Sequence, residues 1–422
     1  MNIGYIGLGA LGGQLARRLL GAWPLVVWDH RPEAAEALRP LGAQPVATAL
    51  ELAQRSDVVM LCLPRSSDVR QVLFGPSGLA AGLRPGQLVI DQTSGVPGDT
   101  EAMARELAAR GVAMIDAAVS ASPQLVLPGK AVLMVGGSEQ AWQQAQPVLQ
   151  AITPQIHRCG ERVGDGQAMK TLNNAMNCSK RMGTLELVLL GRKAGASLAT
   201  LTAALDQGAS ANITTERMLH NIAKGVASTD FALALQIKDT DQALALGTSH
   251  GVAMPIVTAA RTLLQAGLSL RGPQTRIEEM ISVIEQLGAG RIAGEDSAAA
   301  PSGFDADEVV RLVQQGVSTL NRLITRECLG VGLARGLALG TMAAVWQHSS
   351  GWSGASREML GAWAAGRAAP EPAPGQTLAA LDRIVELAAA CAAPVSELGI
   401  ARAVLRLGLN PDPLSVLASR QH

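Results

Sequence analysis

Over roughly the first 160 residues, short apolar runs rich in β-branched residues alternate with helical patterns, and this alternation restricts the fold of the 422-residue chain more than any other feature. The predicted strands lie at 2–7, 25–28, 58–63, 88–91, 113–116 and 131–135. The predicted helices lie at 11–20, 33–38, 47–54 and 100–109. Strands that alternate with helices form stacked βαβ units, so we predict an α/β fold with a doubly wound, mostly parallel sheet.

The helical signal continues without predicted strands after Gly166. Apolar residues recur there at three- and four-residue spacing, which is typical of amphipathic helices. A stretch at 289–306 is rich in Gly, Ala, Ser and Pro and is predicted to be a linker. We therefore predict a sheet domain at 1–162, a first all-helical domain at 163–288 and a second one at 307–422.

The two helical regions match each other at an offset of 141 residues. The offset aligns these pairs: Lys170 with Arg311, Asn174 with Gln315, and Glu186 with Glu327. A further shift of two residues aligns Asp239 with Asp382 and Lys238 with Leu381. Alanine- and leucine-rich helices match one another easily, but glutamates, glycines and paired amides all stay in register. The pattern favours an internal duplication with a degenerate second copy.

A Gly-x-Gly-x-x-Gly pattern follows the first predicted strand and opens the first predicted helix. It consists of Gly7, Leu8, Gly9, Ala10, Leu11 and Gly12. In this setting the first glycine permits a tight turn, the second lets a pyrophosphate approach the backbone, and the third lets the helix pack on the strand. Free N–H groups at the helix N-terminus then bind phosphate. We predict a Rossmann-type domain whose loop binds a dinucleotide.

Asp29 ends the second predicted strand and is followed by His30 and Arg31, and all three are predicted to contact the cofactor. A carboxylate at this position accepts hydrogen bonds from a ribose and repels a 2′-phosphate. NAD is therefore favoured over NADP as the cofactor. Arg31 could bind a phosphate or stack on adenine, which leaves NADP open.

Three further motifs accompany the glycine loop. They are Asp-Gln-Thr-Ser-Gly-Val-Pro at 91–97, Gly-Asp-Gly-Gln-Ala-Met-Lys-Thr-Leu-Asn-Asn at 164–174, and Lys238-Asp239 preceded by Phe231. In this order the four motifs resemble those of the β-hydroxyacid dehydrogenases, which include 3-hydroxyisobutyrate dehydrogenase and tartronate semialdehyde reductase. The resemblance covers about residues 1–290. The duplicated helical region is reminiscent of the long 6-phosphogluconate dehydrogenases.

The resemblance implies a role for each matching position. Lys170 corresponds to the catalytic lysine and Asn174 to the side chain that orients the substrate. The implied cofactor contacts beyond the glycine loop and its acidic partner are Leu63, Pro64, Thr93, Ser94, Phe231 and Lys238. The implied substrate loop contains Ser120, Ala121 and Ser122, where the family usually has Ser-Gly-Gly. Side chains thus stand where bare backbone would approach a substrate carboxylate, which predicts a bulkier or differently anchored acid.

The chemistry of Lys170 agrees with that role. Hydride transfer from an alcohol requires removal of the hydroxyl proton, while the cofactor supplies the hydride chemistry. A desolvated lysine can accept that proton, and Asn174 lies four residues on, on the same helix face. We predict NAD-dependent interconversion of a small β-hydroxy acid and its semialdehyde or oxo acid, with Lys170 as the acid/base.

Three alternatives use the same scaffold. Imine reductases share the fold but typically replace the lysine, so Lys170 argues against them. Decarboxylation of a sugar acid would call for an arginine cluster placed for a sugar phosphate, and the pattern indicates none. A non-catalytic NAD-binding module has no need to keep Lys170 and Asn174 together.

Composition limits the partners and the location. Lys+Arg and Asp+Glu both number 35, so the formal net charge is zero and nothing indicates a nucleic-acid partner. No apolar run is long enough to predict a membrane span. The five cysteines are scattered without metal-ligand spacing, which predicts free thiols, no metal and a cytoplasmic protein. Arg311 cannot act as a base, so the second copy is predicted to be a scaffold that supplies part of the usual dimer contact, and a homodimer remains possible.

Overall fold

The computed structural model describes residues 1–294 and 300–408. Contacts divide the chain into two compact units, Met1–Lys170 and Thr171–His422, which we call the first and second units. Residues 295–299 of the predicted linker and residues 409–422 lie outside the described residues. The finer boundaries at 162, 288 and 306 stay predictions.

The first unit contains one eight-stranded sheet. Its strands are β1 Ile3–Ile6, β2 Leu25–Trp28, β3 Gln44–Pro45, β4 Val58–Leu61, β5 Leu88–Asp91, β6 Ala113–Ser120, β7 Val132–Gly136 and β8 Ile156–Gly160. The strand order is β3-β2-β1-β4-β5-β6-β7-β8, and only the β6–β7 pair is antiparallel. The order reverses direction at β1, which pairs with both β2 and β4 and thereby creates the crevice where Rossmann-type sheets bind ligands.

Helices cover both faces of this sheet. They are α1 Ala10–Leu20, α2 Pro32–Glu36, α3 Ala49–Arg55, α4 Ser66–Phe74, α5 Pro97–Ala108, α6 Pro123–Val126 and α7 Glu139–Ile152. Successive strand residues point to opposite faces, so Met60 joins one apolar cluster and Leu61 the other. Helix α1 packs its Leu15 on the first cluster, and α3 packs its Leu52 on the second. The predicted doubly wound sheet is confirmed.

The second unit is helical in its described residues, apart from two isolated bridges. Helix α8, Asp165–Lys193, begins in the first unit and runs on without a break. The others are α9 Leu198–Leu205, a π-helical turn Thr214–Leu219, α10 His220–Lys224, α11 Leu233–Ser249, α12 Pro255–Arg271, α13 Met280–Leu287, α14 Ala306–Arg335, α15 Leu339–Trp346, α16 Gly354–Ala364, α17 Pro374–Ala390 and α18 Ser396–Arg406. None of the helices described here has an apolar stretch long enough to cross a membrane.

One offset relates the helices of residues 165–287, the first copy, to those of residues 306–406, the second copy. An offset of 141 residues separates the starts of four helix pairs, namely α8 and α14, α9 and α15, α11 and α17, and α12 and α18. The pairs α9/α15 and α11/α17 also have equal lengths of 8 and 17 residues. Chance similarity of helical sequences would not place four helix starts at one offset, so these starts support the predicted duplication.

The two copies hold each other by reciprocal contacts. The carboxylate of Glu327 in the second copy accepts hydrogen bonds from the backbone N–H groups of Ile256 and Val257 at 2.9 and 3.1 Å, at the start of α12. Glu186, which the offset aligns with Glu327, accepts one from Glu397 at 3.4 Å, at the start of α18. Equivalent residues of the two copies thus make equivalent contacts with the opposite copy, as in a dimer with two-fold symmetry. The second copy therefore packs on the first.

The two-residue shift in the predicted alignment is wrong. Asp241 binds Arg261 with an oxygen–nitrogen distance of 2.7 Å, and Asp382 binds Arg402 at 2.5 Å. The offset of 141 relates both partners of these two ion pairs, so Asp382 corresponds to Asp241 rather than to Asp239. Lys238 then corresponds to Ala379 instead of Leu381. The second copy still lacks this lysine.

Candidate active site

The glycine loop after β1 has the shape that a dinucleotide needs. Gly7 has φ of +91°, and a Cβ there would lie 2.2 Å from the carbonyl oxygen of Cys62. A Cβ at Gly12 would lie 1.9 Å from the carbonyl oxygen of Gly7, whereas a Cβ at Gly9 would meet no atom within 4 Å. Helix α1 begins at Ala10 without a side-chain cap, so its first N–H groups are available to phosphate oxygens. The loop therefore fits a pyrophosphate against Gly9.

Asp29, directly after β2, ties this loop to the strand. Its carboxylate accepts hydrogen bonds from the backbone N–H of Leu8 at 2.7 Å and from that of Arg31 at 2.9 Å. The exposed His30 and Arg31 side chains each place a nitrogen within 3.3 Å of the same carboxylate. Burial alone would raise the pKa of Asp29, but these hydrogen bonds outweigh burial and lower it. A fixed negative charge therefore lies beside the loop.

The loops after β4 and β5 are joined by one threonine. The backbone N–H of Leu63 donates to Thr93 Oγ1 at 3.0 Å, and the Thr93 N–H donates to the Asp91 carboxylate at 2.9 Å. Thr93 is buried, Leu63 and Ser94 are half-buried, and Pro64 is exposed. The carboxyl ends of two neighbouring strands thus present four predicted cofactor contacts together.

Lys170 lies in the second turn of α8, and its ammonium group donates a hydrogen bond to Ser94 Oγ. One turn earlier, Gln167 donates from Nε2 to the Asp91 carboxylate at 3.1 Å and to the Thr93 carbonyl at 3.2 Å. These bonds hold the loop after β5 against the start of α8. The structure therefore brings Lys170 to the loop that carries Thr93 and Ser94.

A buried aspartate fixes the start of α8. The Asp116 carboxylate accepts hydrogen bonds from the N–H groups of Gly164 at 2.5 Å and Gln167 at 2.6 Å. Burial raises the pKa of Asp116 to about 8 and that of Asp91 to about 6. Both aspartates sit on neighbouring strands, β6 and β5 respectively. Sequence reasoning assigned no role to Asp91, Asp116 or Gln167. Asp91 and Gln167 lie within the motifs at 91–97 and 164–174, whereas Asp116 lies outside both.

The predicted substrate loop follows β6. Ser120 is the last residue of that strand and is half-buried, Ala121 is half-buried, and Ser122 is exposed at the N-cap position of α6. Among the described residues neither serine hydroxyl has a hydrogen-bond partner. Both hydroxyls are therefore available to a ligand, and a methyl group at Ala121 stands between them.

The second unit brings two other predicted contacts together. Asn174 donates from Nδ2 to the Asp239 carboxylate at 2.8 Å, and Lys238 Nζ lies 3.1 Å from the same carboxylate. Phe231 precedes α11 and its side chain is exposed. A polar network thus links Asn174, the predicted substrate contact, to Lys238, the predicted cofactor contact.

The second copy contributes to this network through Asn173. The buried amide of Asn173 donates to Ser350 Oγ at 3.0 Å and accepts from the Gly351 N–H at 2.8 Å. It also donates to Asn174 Oδ1 at 3.4 Å. Sequence reasoning missed Ser350 and Gly351, because no local signal connects them with Asn173, which is so far away in the chain.

Comparisons with known proteins agree with this arrangement. Residues 2–160 match the family profile described as the NAD binding domain of 6-phosphogluconate dehydrogenase. Residues 164–284 match the one described as NAD-binding of NADP-dependent 3-hydroxyisobutyrate dehydrogenase. L-threonate dehydrogenase of Cupriavidus necator is 32% identical over 263 residues, which are 62% of this chain and 89% of that protein.

The chain belongs to the β-hydroxyacid dehydrogenase family. A second relative of this family, 2-(hydroxymethyl)glutarate dehydrogenase of Eubacterium barkeri, is 29% identical over 70% of this chain and 98% of its own length. Both family profiles describe NAD-binding regions, so this β-hydroxyacid dehydrogenase has the NAD(P)-binding domain that its glycine loop predicted.

Two solved structures extend the likeness in fold. 3-Hydroxyisobutyrate dehydrogenase of Mycobacterium tuberculosis has a TM-score of 0.61 at 23% identity and covers 67% of this chain and 98% of its own. 6-Phosphogluconate dehydrogenase of Plasmodium falciparum has a TM-score of 0.73 at 15% identity and covers 100% of this chain and 96% of its own. The fold likeness to 6-phosphogluconate dehydrogenase therefore includes the second helical copy, as the resemblance predicted.

Proposed function

We propose that this β-hydroxyacid dehydrogenase interconverts a short β-hydroxy acid with its semialdehyde or oxo acid, with NAD as the preferred cofactor and Lys170 as the acid/base. The observation that carries the proposal is the position of the Lys170 ammonium group, which binds Ser94 beside the loop after β5. The same loop is joined to the end of β4 through Thr93. A lysine held at the carboxyl ends of these strands stands where Rossmann-type sheets bind their ligands.

The glycine loop and the α1 N-terminus would hold the pyrophosphate of the cofactor, with Gly9 as the point of closest approach. The other proposed contacts are Leu63, Pro64, Thr93, Ser94, Phe231 and Lys238. When bound, the nicotinamide ring supplies the hydride chemistry. The residues around it have to position the acid and move one proton.

Lys170 would move that proton. Its neutral amine accepts the proton of the substrate hydroxyl, and the resulting ammonium group donates a hydrogen bond to the new carbonyl oxygen. Ser94 Oγ, which accepts a hydrogen bond from Nζ, keeps the long lysine side chain in one orientation. In the reverse direction the ammonium group returns the proton to the oxygen.

Asn174 and the loop after β6 would hold the acid. Asn174 projects from the same face of α8 one turn after Lys170, and Asp239 fixes its amide at 2.8 Å. Ser120 and Ser122 offer hydroxyl groups to a carboxylate, while Ala121 occupies space that a glycine would leave open. The related 2-(hydroxymethyl)glutarate and L-threonate dehydrogenases support a short hydroxy acid as the substrate class.

The preference for NAD follows from Asp29. Its carboxylate is charged, because hydrogen bonds from Arg31 and Leu8 lower its pKa. A second negative charge on the 2′-phosphate of NADP would face this carboxylate at short range, which disfavours NADP. Arg31 already donates to Asp29, and this bond reduces its availability to a phosphate.

The proposal is tested with the full-length protein, a panel of short hydroxy acids, and both NAD and NADP, by following the absorbance of the reduced cofactor. We expect turnover of at least one hydroxy acid and a higher kcat/KM with NAD. Lys170→Met should lower kcat by roughly 100-fold or more, the usual contribution of a positioned acid/base, with cofactor affinity unchanged.

The matched control is Lys224→Met, which removes an exposed lysine of α10. It should leave kcat and KM as in the unsubstituted protein. Wild-type turnover by the Lys170→Met variant would disprove the role of Lys170. A complete lack of turnover of hydroxy acids with either cofactor would disprove the proposed activity.

A further inference from the structure

One face of α8 carries a row of half-buried polar side chains among buried neighbours. Within the second unit the row consists of Asn174, Asn177 and Arg181, at intervals of three and four residues. Lys170 precedes this row by one turn of the same helix. Residues that alternate with the row along the sequence, such as Met176 and Cys178, are fully buried. The three side chains therefore share one partly open strip of the helix surface.

Arg181, at the far end of this strip, is incompletely satisfied. Its guanidinium donates one hydrogen bond, from Nη2 to Asn177 Oδ1 at 3.4 Å, and its buried Nε–H has no partner in the described part of the chain. None of the described carboxylates lies within ion-pair distance of it. Burial lowers the pKa of Arg181, although the more distant charge of Glu278 opposes that shift. A half-buried guanidinium in this state is suited to an external anion, since it has five donors to satisfy.

In the second copy, the arginine at the equivalent position has its charge neutralised by a glutamate of the same chain. The offset of 141 aligns Arg181 with Arg322, whose guanidinium binds Glu358 at 3.0 Å and the Pro370 carbonyl at 2.7 Å. The residue that the offset aligns with Glu358 is Arg217, which is exposed. The first copy, which contains Asn174, therefore keeps the arginine but lacks the ion-pair partner that the second copy has at the position of Glu358.

We propose that Arg181 binds a second carboxylate of the substrate, so that the preferred hydroxy acid is a dicarboxylate. The inference rests on the proposed function, which places the hydroxyl group at Lys170 and the rest of the acid at Asn174. Asn174 and Asn177 are about 4.5 Å apart along the helix axis, and Arg181 reaches back to Asn177. A chain of five carbons spans about 5 Å, since each C–C bond is about 1.5 Å long. A five-carbon diacid therefore matches the distance along the strip.

A carboxylate fits this position better than a phosphoryl group. Arg181 is the one cation of the strip beyond Asn174, and Glu278 already offsets part of its charge. A singly charged carboxylate balances one guanidinium and can accept two parallel hydrogen bonds from it. A doubly charged phosphoryl group would need a further cation, which the strip does not offer.

The test uses two hydroxy acids that differ by the distal carboxylate. Both 2-(hydroxymethyl)glutarate and 3-hydroxyisobutyrate have a hydroxymethyl group next to a carboxylate, and only the first has a second carboxylate. We expect the full-length protein to favour the diacid in kcat/KM. Arg181→Met should lower kcat/KM for the diacid by roughly 10- to 100-fold, the usual effect of losing a hydrogen bond to a charged group. Its kcat/KM for the monoacid should stay within about threefold.

Arg322→Met is the matched control, because it removes the corresponding arginine of the second copy. It should leave the diacid-to-monoacid ratio unchanged. An equal loss for both acids in Arg181→Met, or no loss for the diacid, would overturn the inference. A preference for 6-phosphogluconate that Arg181→Met abolishes would overturn it in favour of a phosphoryl group. Arg181→Gln, which keeps a polar side chain, replaces the methionine variant if that variant does not fold by circular dichroism.

The two proposals can fail separately. If neither hydroxy acid is oxidised with NAD or NADP, the proposed activity fails. Calorimetric titration of the full-length protein with glutarate and with butyrate then decides the role of Arg181. Binding of glutarate that Arg181→Met weakens, with no comparable binding of butyrate, supports a diacid site. Equal binding of the two acids, or none, overturns it.

Discussion

Gly9 and Gly12 belong to the same loop, yet a methyl group added at each would meet different surroundings. At Gly12 the new Cβ would lie 1.9 Å from the Gly7 carbonyl oxygen, and at Gly9 it would meet nothing within 4 Å. Gly12→Ala should therefore lower the midpoint of thermal unfolding in the absence of cofactor, through overpacking that costs about 1–3 kcal/mol. Gly9→Ala should leave that midpoint unchanged and weaken cofactor binding by at least about tenfold.

Thermal unfolding without cofactor and fluorescence titration with NADH separate the two effects. Gly98→Ala is the control, because a Cβ there also meets nothing within 4 Å and the residue lies in α5, away from the glycine loop. If Gly9→Ala binds NADH as tightly as the control variant, the pyrophosphate does not approach this glycine.

The sequence could predict those parts of the site in which residues lie at a fixed local spacing. Lys170 and Asn174 share a helix face because they are four residues apart, and helix geometry alone fixes that relation. The role of Asp116 could not be predicted in this way, since it caps α8 from a strand 48 residues earlier. Ser350 was beyond prediction for the same reason, because it meets Asn173 only after the two copies have packed. Arg181 belongs to no motif, and its lack of an ion-pair partner depends on residues that are distant in the sequence.

At the scale of elements, the loop between α15 and α16 acts on the first copy through Asn173. A Cβ at Gly351 in this loop would lie 2.6 Å from the Asn173 carbonyl oxygen and 2.7 Å from its Oδ1. Gly351→Ala should therefore push Asn173 out of its hydrogen bonds and disturb Asn174 beside it. We expect KM for the hydroxy acid to rise by roughly tenfold, with the dissociation constant for the cofactor unchanged, since small displacements of positioning groups weaken catalysis strongly.

The same substitution at Gly361 serves as the control. Gly361 lies in α16, and a Cβ there meets nothing within 4 Å, so alanine should be neutral or slightly stabilising in the helix. Steady-state kinetics with the preferred acid and a titration with cofactor measure both effects. A Gly351→Ala variant with wild-type KM would show that the loop is not coupled to substrate binding.

The strands that sequence reasoning missed are those with a weak apolar signal. β3 has only two residues, and β8 contains His157 and Arg158 and lies at the sheet edge, where one side needs no apolar partner. β6 runs four residues past its predicted end because its antiparallel pairing with β7 continues to Ser120. The strands β2 and β5 were predicted with their observed limits, since all four residues of β2 and the first three of β5 are apolar.

At the scale of the whole molecule, a group of buried carboxyl groups lies where the two copies meet. Glu397 is fully buried, and both of its carboxyl oxygens lack partners among the described residues. Burial, followed by the charges of Glu186 and Glu327, raises the pKa of Glu397 well above its ordinary value of 4.5. Burial also raises the pKa of Glu327 to about 7 and raises that of Glu186. The folded protein therefore holds these protons more tightly than the unfolded chain does.

These groups should consequently contribute most to the free energy of unfolding at low pH. Their contribution should decrease as the pH rises from 4.5 through the raised pKa values. Glu397→Gln removes one titrating group while it keeps the shape of the side chain. The variant should unfold at the same temperature as the unsubstituted protein below pH 4.5, and at a higher temperature at about pH 8.

Thermal unfolding at both pH values measures this difference. Glu216→Gln is the control, because Glu216 is exposed and its substitution should change neither midpoint. An equal shift of the Glu397→Gln midpoint at both pH values would mean that the carboxyl group is ionised in the folded protein at neutral pH, contrary to its burial.

The reciprocal capping by Glu186 and Glu327 has a consequence for how this protein can vary. In a symmetric pair of identical subunits, every substitution at the interface occurs twice, and both occurrences have to be tolerated at once. Here the equivalent positions are encoded separately, so Arg322 can keep a counter-ion that Arg181 lacks. The covalent connection also makes the pairing of the copies independent of protein concentration, because the partner is always present at high effective concentration. Fusion therefore gives this fold one specialised half and one supporting half, which dilution cannot separate.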